Sequence, residues 1–276
     1  MAFPLELVLR ICAILAEGDD KSTLKSCALV CSQLVGCCQS YLFAKVKLTL
    51  SESVTDLSAF ERLATILEHR PELGGHVKSL GIYFSSHSTS KNPTVPYILS
   101  KCTNVTAFTM EAKRSTNPFL WPTSFADVTQ LAVGSIVTSP NLVELEIRGF
   151  HLDIFAFVSP CHANLSSLRI RCTDTGSQVS SFTLLPRPSI HLRYLMARPE
   201  IIWDILNVKQ EDGRSVFDLS RLEELDACYQ ERGYMEDLVR VLRRTTSLER
   251  LVLRMTRKRH SKHHILNFVD FLKSLL

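Results

Sequence analysis

Cysteine is the residue type whose chemistry has to be decided first. Nine cysteines occur in the 276 residues, and four crowd together, Cys27 and Cys31 one helical turn apart and Cys37 adjoining Cys38. Thiolates this close could hold zinc, but structural zinc asks for paired Cys-x-x-Cys or Cys/His spacings, and neither is near. They read instead as small buried hydrophobes. Cys161 beside His162 offers a nucleophile and a base, yet neighbours in sequence seldom aim at one substrate atom. Glu223 and Glu224 fall on or beside a strand, where one carboxylate faces solvent and nothing isolates the pair for proton transfer. No Gly-x-x-x-x-Gly-Lys-Ser/Thr loop, Gly-x-Gly-x-x-Gly turn or Gly-x-Ser-x-Gly elbow is present. The expectation is a chain that is not an enzyme and needs no cofactor or metal.

Charge gives a second set of exclusions. The 32 basic and 28 acidic residues nearly balance, so composition carries no mandate for a polyanion. The one basic run, Arg257, Lys258, Arg259, His260, Lys262, His263 and His264, suits a nuclear-import signal or a phosphate contact, and equally a solvated turn. Nucleic acid is therefore the weakest of the binding readings. An odd cysteine count and no basic leader point to reduced thiols in the cytoplasm or nucleus. The apolar stretch Leu5 to Ala16, which contains Glu6 and Arg10, is too short for a bilayer, so no membrane partner is expected.

That stretch opens a run of three predicted helices. Pro4 suits a first helical position, where its missing amide hydrogen costs nothing, and the helix stops before Gly18. Ser22 is the expected N-cap of a second helix, Leu24 to Cys31, and a third spans Ser32 to Leu42. Val46, Leu48 and Leu50 then alternate with Lys47 and Thr49 as a strand does. The first helix is apolar on two sides. Leu7, Ile11 and Ile14 are expected to face the chain's own core, leaving Leu5, Val8, Leu9, Cys12 and Leu15 on the other side.

The runs FPLELVLRICAILA, STLKSCALVCSQL and YLFAKVKLTL resemble an F-box, the three-helix module that docks on a Skp-type adaptor of cullin-RING ubiquitin ligases. Phe3, Pro4, Leu5 and Glu6 match its opening turn. Ala28, Leu29, Val30 and Cys31 match the run in its second helix, and Leu42 and Phe43 its closing pair. Leu34 stands where many members carry tryptophan. The resemblance implies an adaptor-binding set of Pro4, Leu5, Glu6, Val8, Leu9, Cys12 and Leu34.

Downstream, a pattern of apolar, two any, apolar, one any, apolar recurs seven times, beginning at Val77, Val105, Leu142, Leu165, Leu192, Leu222 and Leu248. Starts lie 23 to 37 residues apart, and most intervals fit a leucine-rich repeat. Helical spacing lies between them, at Leu57 to Leu67, Pro96 to Leu99, Leu152 to Val158, Ile201 to Leu206 and Met235 to Leu242. The 37-residue interval leaves room for a hidden repeat near Val128 and Leu131. Such units cannot bury their apolar sides singly and must stack. The fold class expected is α/β, a solenoid with parallel strands on its concave face and helices on its convex face, over residues 48–276. A small all-α module over residues 1–47 precedes it.

Strand alternation puts the residues flanking the last two apolar positions outward. The candidate concave binding set is Tyr83, Glu144, Glu146, Arg148, Arg169, Arg171, Tyr194, Arg198, Glu224, Asp226, Arg250 and Arg254, with Glu111 also on that side. Mixed sign suits a folded protein or peptide better than a uniform polyanion. Ser85 to Pro96, Lys113 to Ser124 and Thr173 to Ser189 read as surface loops, and Val208 to Ser215 as an exposed turn. The segment FERLATILEHRPELGGHVKSLGI is similar to the link from F-box to first repeat in the leucine-rich-repeat F-box proteins found in fungi. The function this implies is recruitment of a protein substrate to a ubiquitin ligase, with a Skp-type protein and a cullin scaffold as partners. The alternative is an interaction scaffold whose N-terminal helices only cap the repeats. An apolar-striped helix from Ile265 is expected either to cap the array or to mark its continuation.

Overall fold

A computed structural model of the chain describes residues 4–18, 20–30, 32–50, 54–85, 92–112, 119–120, 126–151, 160–171, 188–229 and 235–255. It is a mixed α/β structure with parallel strands, divided into two compact units. The first holds the described residues up to 151 with Pro160–His162. The second holds Ala163–Arg171 and the described residues from 188 onward. The boundary expected at residue 47 therefore falls inside the first unit.

The first unit begins with helices α1 (Leu5–Glu17), α2 (Lys21–Val30) and α3 (Ser32–Leu42), which pack on one another. Pro4 stands one residue before α1, at its cap. The cap of α2 is Asp20 rather than Ser22. Its carboxylate accepts from the Thr23 amide at 3.0 Å and the Thr23 hydroxyl at 2.6 Å, and Ser22 donates to it at 2.8 Å. A carboxylate answers the exposed amides and dipole of a helix start better than a neutral hydroxyl does. These bonds hold the Asp20 carboxyl down to about 2.

Four strands follow, β1 (Lys45–Leu50), β2 (Ser79–Phe84), β3 (Ala107–Ala112) and, after the two-residue β4 (Phe119–Leu120), β5 (Glu144–Arg148). β1, β2, β3 and β5 pair in parallel in that order. Helices α4 (Val54–His69), α5 (Thr94–Lys101) and α6 (Asp127–Val137) lie between them in sequence. The buried alternate positions Leu48, Leu50, Leu80, Ile82, Phe84, Phe108, Met110, Leu145 and Ile147 form the core with Phe60, Leu67, Val95, Ile98, Val133 and Ile136 of the helices. The reserve place for a hidden repeat is α6, with Val128 and Leu131 exposed and Thr129, Val133, Ile136 and Val137 inward. β6 (Phe150–His151) pairs with β4. Between β5 and β6, Gly149 has φ +74°, and a Cβ there would lie 2.1 Å from the Ala112 carbonyl oxygen, so both backbone angle and space demand glycine.

The second unit repeats the scheme. β7 (Ser167–Arg171), β9 (Tyr194–Ala197), β11 (Glu224–Tyr229) and β12 (Arg250–Met255) pair in parallel, while β8 (Ile190–His191) and β10 (Phe217–Asp218) form a small sheet of their own. Helix α7 (Pro199–Asn207) packs on α8 (Met235–Leu242), and Trp203 of α7 lies under the guanidiniums of Arg240 and Arg244, 5.2 and 5.5 Å from its ring centre. The 208–215 segment is exposed from Glu211 to Arg214 but buries Val208 and Gln210, because Lys209 and Ser215 bridge its base.

One hydrogen-bond signature recurs at the strand starts of both units. Two successive amides donate to the carbonyl just before the neighbouring strand. Lys78 and Ser79 donate to Ala44, Thr106 and Ala107 to Lys78, and Val143 and Glu144 to Thr106. In the second unit Arg193 and Tyr194 donate to Ser166, Glu223 and Glu224 to Arg193, and Glu249 and Arg250 to Glu223. β1 belongs to this series although the repeat pattern does not reach it. Among the described residues no helix is long and apolar enough to cross a membrane. The expected helix at 152–158, the basic run and the helix from 265 lie outside the described residues.

Candidate functional site

Helix α1 is two-sided, but Leu9 apart its sides are the reverse of the expectation. Val8 and Cys12 are inward, 4% and 0% exposed, with Leu15 and Ala16 packed beside them. Leu7, Leu9, Ile11 and Ile14 are outward, with Leu7 at 50% and Ile14 at 59%. Cys12, with Leu15 beside it, meets Leu24 of α2 and Cys38 of α3. Small side chains there let three helices approach closely, which the bulkier Leu7–Ile11–Ile14 stripe would not. Val8 and Cys12 therefore drop out of the adaptor-facing set. Leu34 does too, since it packs against the Cys12–Leu24–Cys38 cluster. Pro4, Glu6 and Leu9 remain exposed, and the side chain of Leu5 lies outside those described. At the end of α2, Leu29 is 89% exposed, with Val30 also outward.

Two of the cysteines at this junction, Cys37 and Cys38, are held as thiols. Cys12 and Cys38 bring their sulfurs to 3.6 Å, and burial, reinforced by the Cys12 thiol, pushes Cys37 up to about 11 and Cys38 up to about 12. Thiols held protonated in apolar surroundings are poor nucleophiles and poor ligands. Among the described residues, no group of three His, Cys, Asp or Glu side chains could hold a metal ion. Cys161 is buried while His162 is exposed, so the two do not face a common point.

The outward strand face of the first unit is cross-paired. In the row Thr49, Tyr83, Glu111, Arg148, neighbouring residues are register partners. Arg148 lies between two carboxylates, with Nη2 2.6 Å from Glu146 Oε1 and Nη1 3.4 Å from Glu111 Oε2. Tyr83 is pushed above the ordinary tyrosine range by burial and then by Glu111. Lys45, Lys47 and Arg148 share this side with Glu111, Glu144 and Glu146, so its charges balance. Glu111, which strand alternation puts on this side, holds the same position on its strand as Arg148.

On the second unit the corresponding face is built differently. Asp226 is buried, its side chain 1% exposed, and Arg254 closes over it with Nε 2.9 and 2.8 Å from the two carboxylate oxygens. Arg250 lies 3.5 Å from Glu224. Met196 and Arg198 are buried as well. The expectation that Asp226 and Arg198 are open to solvent is therefore corrected: Arg254 covers Asp226, and Arg198 lies past the end of β9, at the cap of α7.

Arg169 and Arg171 of β7 have no carboxylate within reach among the described residues. The Arg169 guanidinium lies 4.6 Å from the Tyr194 ring centre, and its buried Nε lacks an acceptor, an arrangement that costs about 1–3 kcal/mol. Arg171 directs Nε and Nη2 at the Met196 sulfur, 3.4 Å from each, a weak acceptor. Burial raises the Tyr194 pKa, against a downward pull from Arg169. Comparison with family models, with curated proteins and with solved structures found no match to this chain.

Proposed function

We propose that the chain is a substrate-recruiting adaptor of a cullin-RING ubiquitin ligase, an F-box module followed by a leucine-rich-repeat solenoid. The N-terminal helices dock on a Skp-type protein, which joins the cullin scaffold, and the strand faces hold a protein substrate. The reading is supported chiefly by the second apolar side of α1. Leu7, Leu9, Ile11 and Ile14 stay exposed although the opposite side of the same helix is fully used. Covering them would contribute about 1 kcal/mol each at their present half exposure, enough to anchor a partner. The recurring two-amide signature supports the repeat reading of both units. Function then rests on proximity and orientation of two bound proteins rather than on a catalytic group, and its place is the cytoplasm or nucleus.

The test is capture of a purified Skp-type adaptor by the full chain. Wild type is expected to retain it and a Leu7→Asp, Ile11→Asp variant to lose it with an unchanged circular dichroism melt. No capture by folded wild type overturns the reading. The competing one is a non-ligase scaffold whose helices act only as a cap. It draws on the packing of α3 against the Pro71–His76 turn of the first unit. A cap alone predicts that Leu7→Asp is silent in every binding assay.

A further inference from the structure

The Arg169–Arg171 pair on β7 sets two guanidiniums against soft, uncharged partners. Both point to the same side, two residues apart on an extended strand, which sets their Cα atoms roughly 6.6 Å apart. Their neighbours on β9 are Tyr194 and Met196, neutral side chains that hold the guanidiniums by a π face and a sulfur. The carboxylates one strand further, Glu224 and Asp226, are already engaged by Arg250 and Arg254. Arg148 of the first unit, by contrast, is saturated by Glu146 and Glu111.

We infer that this face receives an extended acidic peptide segment of a protein partner, with carboxylates at alternate positions, each accepted by one of the two arginines. The inference rests on the protein-binding reading above and names its partner's chemistry. An extended chain repeats side chains on one side at the same roughly 6.6 Å spacing, so an Asp-x-Asp or Glu-x-Glu segment matches both forks at once. A guanidinium forms two parallel hydrogen bonds to a carboxylate, whereas a thioether and an aromatic face leave most of its donors unused. Exchange of those weak partners for carboxylates is the gain that binding realises. The backbone groups of β7 and β9 are committed to each other, so recognition runs through side chains and depends on their spacing.

The experiment uses the full chain and fluorescein-labelled ten-residue peptides in a polarisation assay. One peptide carries Glu-x-Glu, one the same two glutamates adjacent, and one Gln-x-Gln. The Glu-x-Glu peptide is expected to bind most tightly, with Arg169→Gln and Arg171→Gln each weakening it about tenfold. Arg148→Gln is expected to leave that binding unchanged. Arg171→Lys keeps the charge but loses the fork and is expected to fall between, which provides a reading if a glutamine variant fails to fold. Equal binding of the three peptides, or indifference to all three β7 variants, overturns the inference. So does tighter, spacing-independent capture of a single-stranded oligonucleotide, which would make the face a polyanion site. Leu7→Asp, measured in parallel, is expected to bind the peptide normally. Failure of adaptor capture and failure of peptide binding are thus read separately.

Discussion

Arg148 and Arg171 hold the same position in their repeats, the last outward residue of β5 and of β7, and their surroundings could hardly differ more. The first has glutamate two residues before it and glutamate on the neighbouring strand. The second has arginine two residues before it and methionine alongside. The backbone is the same and the inward leucines and isoleucines are the same. What differs is the sign of a few outward side chains, which turns one face into a closed ion-pair network and leaves the other with guanidiniums on soft partners. A strand separates these two jobs cleanly, since alternation along it gives packing to one set of residues and leaves recognition to the other.

The comparison predicts unequal costs of removing arginine. The largest effect is expected inside the second unit at Arg254→Ala, which leaves the buried Asp226 carboxylate without its fork. A loss of about 3 kcal/mol by denaturant unfolding is expected, partly recovered in the double variant with Asp226→Asn. Arg148→Ala comes next at about 1 kcal/mol, since its partners Glu146 and Glu111 are left facing each other in a half-buried setting, and salt should reduce that loss. Arg171→Ala is expected to change stability by under about 0.5 kcal/mol, having only a thioether to lose. If Arg171→Ala proves as costly as Arg148→Ala, the contrast between the faces is wrong.

The smallest effect separates the two tyrosines by sign. Both titrate above the ordinary tyrosine value, first because of burial. Glu111→Gln should bring Tyr83 down, because a neighbouring negative charge opposes phenolate. Arg169→Gln should push Tyr194 further up, because a neighbouring positive charge favours it. Ultraviolet titration of each variant checks this. Since both folded values are raised, the stability they contribute is full below the unfolded value near 10 and is lost as pH rises through the folded value.

How much of this was legible in the sequence depends on what decides each feature. The strands were legible because Leu80 and Ile82, Leu145 and Ile147, or Leu225 and Ala227 sit at strand spacing and recur at repeat intervals, and all are buried. The orientation of α1 was not, because a helix apolar on both sides has no pattern that says which side is covered. Side-chain size decided it, with Cys12 fitting against Leu24 and Cys38. The α6 stripe of Thr129, Val133, Ile136 and Val137 was present at helical spacing but masked by the more conspicuous Val128 and Leu131, which face solvent. Alternation gives the side of a strand on which a residue lies and not its depth. Asp226 and Met196 lie under arginine side chains from neighbouring strands, contacts across 28 and 25 residues that local spacing does not encode, and Arg198 lies past the end of β9, at the cap of α7.

The carbonyls that each receive two amides at the strand entries have a consequence for how the chain tolerates change. Each strand is indexed afresh against its predecessor at Ala44, Lys78, Thr106, Ser166, Arg193 or Glu223, whatever length of chain came between. An insertion in one connection is absorbed where it occurs, and the next strand starts from the same mark. Errors of spacing do not accumulate within the first unit, where intervals of 28 and 37 residues stand side by side in sequence and β2, β3 and β5 still hold their outward residues in register.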